Sequence, residues 1–81
     1  MYTTEPFFIE KDNFAKIVGA HIQKIRTEKC KLSQERLGLL SGYDRTYIGA
    51  IERGEKNASF YAIYKILTIL EVDPTTFFNE I

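Results

Sequence analysis

Two glycines four residues apart, Gly38 and Gly42, constrain this chain more than any other feature. They lie within Q-E-R-L-G-L-L-S-G-Y-D-R-T-Y-I-G-A-I-E-R, residues 34–53. Ser33 is a helix cap, and Leu37 and Leu40 recur at helical spacing, so a short helix is predicted over 34–41 with both leucines inward. Gly42 supplies the left-handed residue that ends it. Asp44 caps a second helix over 45–53, which turns Ile48 and Ile51 inward and stops at Gly54. Gly38 falls where a side chain would hold a crossing helix away. Two short helices that cross closely at ~90–120° across a tight turn make a helix-turn-helix.

The flanks supply the body that holds this unit. Upstream, Asp12 or Asn13 can cap a helix whose apolar stripe is Phe14, Ile17, Val18, His21, Ile22 and Ile25. It runs to Lys29 or Cys30, and Gly19 inside it permits close approach of another element. Downstream, Glu55 to Ala58 is a polar loop. Ser59 caps a helix over 60–71 with Phe60, Ile63, Ile66, Leu67 and Leu70 on one stripe. Asp73 caps a last short helix opened by Pro74 and carrying Phe77, Phe78 and Ile81. No segment alternates like a strand. The expected fold is all-α, five helices in one domain over 13–81. An arm over 1–12 precedes it, where Pro6 breaks any helix and Phe7, Phe8 and Ile9 show no lasting period.

Composition removes several classes of function. The one cysteine, Cys30, allows no internal disulfide and no thiolate metal cage. No nucleophile–base pair, phosphate loop or metal-ligand spacing is present, so neither an enzyme nor a cofactor is expected. No apolar run reaches the ~20 residues of a membrane span, and the N-terminus does not read as a leader, so the cytosol is the expected place. The net charge is zero, yet it is unevenly spread. Lys24, Arg26, Lys29 and Lys31 face only Glu28 over 21–31, whereas Lys65 faces Glu71, Asp73 and Glu80 over 58–81. Such polarity suits binding of an anion on one side, or plain solvated surface.

The run S-Q-E-R-L-G-L-L-S-G-Y-D-R-T-Y-I-G-A-I-E-R-G, followed by Ile63, Ile66, Leu67, Leu70 and Val72, resembles the lambda-repressor-like, or XRE, helix-turn-helix family over roughly residues 17–78. Within it, D-R-T-Y-I-x-x-I-E-R-G-x-x-N looks like the controller proteins of restriction–modification systems. The resemblance implies a DNA-binding transcription regulator in which Arg45, Thr46 and Tyr47 face the major groove. Arg45 suits a two-pronged grip on guanine O6 and N7. Thr46 can donate to a base or phosphate, and Tyr47 can touch a phosphate or press on a flexible base step. Gln34, Lys24, Arg53, Lys56 and Asn57 are the implied phosphate contacts. Glu52 is expected to turn inward and pair with Arg26. One departure stands out: between Lys29 and Leu32 the chain has a residue more than the family pattern, and Cys30 stands where glycine is usual.

One helix reads only a few base pairs, so a homodimer on a palindromic site is expected, with its two reading helices ~34 Å apart. Ile69, Val72, Phe77, Phe78 and Ile81 offer apolar surface for the pairing; Phe77 is expected to close the protomer's own core while Phe78 faces the partner. RNA polymerase is a further implied partner. A phage-type repressor, an antitoxin-like regulator, and a protein adaptor without DNA binding stay open as alternatives.

Overall fold

The computed structural model describes residues 8–81. Five α-helices follow in order: α1 (Lys11–Lys24), α2 (Gln34–Ser41), α3 (Arg45–Glu52), α4 (Phe60–Ile69) and α5 (Pro74–Asn79). The expected arm is shorter than 1–12, because α1 already starts at Lys11 with Glu10 as its cap. Met1 to Phe7 of that arm lie outside the described residues.

Each start is held by the side chain that precedes it. Ser33 Oγ accepts from the Arg36 amide at 2.9 Å, Asp44 Oδ1 from Thr46 at 2.7 Å, and Ser59 Oγ from Ala62 at 3.1 Å. Asp73 does the same for α5, with Pro74 in the first turn. These contacts satisfy amides that a helix start leaves free.

The helix ends share a second device, a left-handed residue followed by an amide that reaches back. Gly42 and Gly54 take positive φ after α2 and α3, and the amides of Tyr43 and Glu55 bond to Gly38 and Ala50. Glu71, at φ 61°, ends α4, and Val72 N–H bonds to Leu67. The α4 helix is therefore shorter than its apolar period suggested.

The end of α1 is built differently. Its backbone widens into one π-helical turn, Ile25–Lys29, in which the Cys30 amide bonds to Ile25 O at 3.0 Å. The extra residue between the first two helices is absorbed in the helix, not added to the loop. Cys30 stays right-handed, and the left-handed position falls on Lys31, at φ 57°. The closing bond, Leu32 N–H to Arg26 O, accordingly spans six residues where the other ends span five.

The core is Val18, Ile22, Leu37, Ile48, Ile51, Ile63, Ile66, Leu67, Leu70 and Phe77. Each fully buried aliphatic side chain contributes about 1.5–3 kcal/mol relative to exposure. Two close backbone approaches set the frame. A Cβ on Gly19 would stand 2.6 Å from Glu52 O and closer still to Ile51 O, so α1 lies directly against α3. A Cβ on Gly38 would strike Tyr43 O, so α2 turns tightly into α3. Several expected core positions point outward instead. Leu40 and Phe14 are substantially exposed, and Phe60 is 90 % exposed at the first turn of α4.

Candidate nucleic-acid interface

Glu52 is the least exposed acid of the chain's functional stretch, and its partners explain why. Arg26 donates through Nε to Oε2 at 2.6 Å and through Nη2 to Oε1 at 3.0 Å. Gln34 Nε2 adds a third bond to Oε1 at 2.9 Å. The third guanidinium nitrogen, Nη1, reaches Leu32 O at 2.7 Å. One buried carboxylate thus ties the end of α1, the start of α2 and the last turn of α3. A buried pair with every hydrogen bond made fixes direction more than it adds net stability. Arg26 lies early in the π turn, and the chain beyond the turn returns Leu32 O to its guanidinium.

With its last turn fixed, α3 presents its first turn outward. Arg45 and Thr46 are exposed, and Tyr47 is half-buried. The Tyr47 ring packs on Tyr43 with centroids 5.0 Å apart, and Lys65 Nζ stands 5.4 Å from the Tyr43 ring. Tyr47 is therefore a braced edge and not a free probe. The Thr46 hydroxyl donates to Asp44 Oδ1 at 2.8 Å. Its proton is engaged at home, which leaves an acceptor lone pair and a methyl facing out instead of the expected donor. The Thr46 amide, and then this hydroxyl, hold the Asp44 carboxyl below its ordinary range. Among the described residues Arg45 makes no ion pair, which leaves its fork of donors available.

Gly49, one turn on, keeps the same helix smooth. Its missing Cβ leaves room filled by Gln34 and by Arg53 Nη1, the latter 3.1 Å from where that carbon would stand. Gln34 and Arg53 therefore meet over Gly49. Arg53 is held by Glu55 in a two-pronged pair, Nε to Oε2 at 3.0 Å and Nη2 to Oε1 at 3.1 Å, both side chains about 60 % exposed. This pairing raises the Arg53 pKa and lowers that of Glu55. Lys56 and Asn57 follow, both exposed.

Lys24 does not join this group. It borders a hollow between α1 and α5 lined also by Glu28, Lys29, Val72 and Glu80. The basic segment 21–31 thus splits: Arg26 is spent internally, while Lys24 and Lys29 sit among acids near α5. The engagement of Arg53 by Glu55 went unseen in the sequence. The only signal was the two-residue spacing of opposite charges across Gly54, which many surface loops share.

The proposed pairing surface also shifts. Phe77 is 2 % exposed and packs edge-on against His21 and Phe78, so it belongs to the protomer core and not to a partner surface. Ile69, Val72 and Ile81 are half-buried against the same core. Among the described residues, one open apolar surface is a groove of about 600 Å³ between α4 and α5, walled by Phe60, Tyr61, Tyr64, Pro74 and Phe78.

A braced second helix with an open first turn defines a helix-turn-helix protein. A family model described as helix-turn-helix matches residues 22–77, and the chain belongs to that family. Its relatives there are control proteins of restriction–modification systems. It is 40 % identical over 63 residues to the control protein C.BamHI of Bacillus amyloliquefaciens, a match covering 78 % of each chain. The crystal structure of the restriction–modification controller protein C.AhdI from Aeromonas hydrophila aligns with a TM-score of 0.74 and 41 % identity, covering 79 % of this chain and 96 % of that one. The controller C.Esp1396I, solved as a tetramer in complex with its natural 35 base-pair operator, aligns with a TM-score of 0.73 and 39 % identity, covering 82 % of this chain and 86 % of that one.

Proposed function

We propose that this protein is a homodimeric, sequence-specific DNA-binding transcription regulator that controls a restriction–modification operon, its own gene included. The observation that carries this reading is the exposed first turn of α3, with Arg45 unpaired, on a helix whose far end is locked by Glu52 to Arg26 and Gln34. A helix held this firmly at one end and bare at the other is built to enter a groove as a rigid reader. Arg45 would read guanine, Thr46 would offer its methyl and acceptor, and Tyr47 with Tyr43 would press on the sugar–phosphate wall. Gln34, Arg53, Lys56 and Asn57 would hold the backbone.

The second copy would seat on Phe60, Tyr61, Tyr64 and Phe78. A phenylalanine left 90 % exposed beside two exposed tyrosines is an apolar patch that pairing would cover. RNA polymerase at the promoter is the second partner of this reading, and the cytoplasm its setting. Among the described residues no helix is long and apolar enough to cross a membrane.

The zero net charge favours the protein-adaptor alternative, and one titration separates the two. Fluorescence anisotropy with a duplex of the gene's own upstream region should show binding that weakens steeply with salt, as counterion release requires. Binding to an unrelated duplex should be far weaker. No duplex binding at low salt would overturn the regulator reading.

A further inference from the structure

Among the described residues, Arg53 is the cation of the reading face that an acid already pairs. The Nε–Nη2 edge of its guanidinium is held by Glu55 in the same two-pronged geometry that a phosphate would offer. The guanidinium lies over Gly49 beside Gln34, on the face that would meet DNA. We propose that Glu55 is a built-in competitor for the phosphate backbone, occupying the Nε–Nη2 edge of Arg53 so that DNA has to displace it to use that edge. The proposal rests on the DNA-binding reading above.

The chemistry makes the competition direct. The Nε–Nη2 edge of a guanidinium takes one bidentate acid at a time, carboxylate or phosphate. Glu55 is tethered two residues away, so it is always at high effective concentration. A loosely seated duplex has to displace it and accept its negative charge nearby. The chain's eleven Lys and Arg are balanced by eleven acids, and withholding one cation lowers the sequence-independent part of binding. Both partners are about 60 % exposed, so exchange needs no unfolding.

The test is Glu55→Gln, which keeps the shape and removes the charge. On an unrelated duplex it should bind about two- to fivefold tighter per bound copy, the range of an exposed ion pair. The slope of log affinity against log salt should steepen by about 0.9 per copy. Arg53→Gln with Glu55→Gln should abolish both gains, because the effect runs through Arg53. Glu80→Gln, the same charge change beside α5, should leave both unchanged. An equal gain from Glu80→Gln would reduce the effect to net charge and overturn the proposal. So would Glu55→Gln binding no tighter than the native chain, or weaker, which would make Glu55 an aid to Arg53. The native chain's own salt-dependent binding tests the underlying reading separately: if it binds duplex and the variant matches it, only the competitor role falls.

Discussion

Replacing Arg26 by Met should unfold this protein at temperatures where the native chain is fully folded. The substitution keeps an unbranched apolar stem and removes the guanidinium. Glu52 is then left buried, its side chain 2 % exposed, with Gln34 as its one hydrogen-bond donor. Leu32 O also loses its partner, which loosens the π turn. Stranding a buried charge costs about 3–5 kcal/mol. The whole stability of an 81-residue domain is roughly 4–12 kcal/mol at the usual value per residue. A loss near 4 kcal/mol lowers the midpoint by roughly 15–30 °C for a domain of this size. Thermal unfolding followed by far-ultraviolet circular dichroism, at one fixed protein concentration, reads this directly. The second arm is Arg26→Met with Glu52→Met. Removing both charges should recover most of the loss, since buried pairs add little net stability over apolar packing. That double variant should fold yet bind operator DNA more weakly, because nothing directional then sets α3 against α1 and α2. A fall of less than about 4 °C for the single variant would refute the reasoning, as would a double variant no more stable than the single one.

Four further outcomes follow from the same structure. Lys31→Gly should raise the midpoint by about 4–8 °C, because glycine adopts the left-handed conformation without the roughly 1 kcal/mol that a Cβ costs there; an unchanged midpoint would mean that Lys31 bears no strain. Phe60→Ser should weaken self-association at least tenfold in sedimentation equilibrium while leaving the protomer folded, its ring being 90 % exposed; an unaltered dimer would remove α4 from the interface. Arg45→Ala should flatten the preference at one base pair of each half-site by about 1–3 kcal/mol, measured by competition among operator variants, and unchanged discrimination would take Arg45 out of base reading. Asp44 has a lowered folded pKa, so its cap contributes fully above the ordinary carboxyl range and is lost as pH falls through the folded value. Asp44→Asn should therefore show a shallower loss of stability on acidification than the native chain, and equal slopes would deny the cap that role.

The sequence carried the turn well because its signals are local and chemical. Gly38, Gly42, Ser33 and Asp44 each act within one turn of helix, and each takes the role its type requires. Periodicity carried the stripes but not which ends of them are covered. Phe60 shares the period of Ile63, Ile66 and Leu67, yet at the first turn of α4 it extends past the protomer's body. Leu40 fails likewise, because the buried face of α2 runs through Leu37, Gly38 and Ser41 and leaves Leu40 at its edge. Charge summed along the chain misled most. Lys24 and Arg26 are two residues apart and project from different faces, one beside acids near α5 and one into the centre of the fold. The pairing of Arg53 with Glu55 is conformational: only the left-handed turn at Gly54 folds the two side chains together.

The π turn at Ile25–Lys29 bears on how such a domain tolerates changes of length. A residue inserted in a loop moves everything beyond it, and one inserted in a regular helix rotates every later side chain by about 100°. Here the added residue is stored as a wider turn, beyond Gly19, where α1 lies against α3, and around Arg26 itself. The Leu32 carbonyl and the Glu52 carboxylate clamp Arg26 from both sides of the widening. The helix end thus works as a length buffer, and Glu52 as the fixed point against which it is measured.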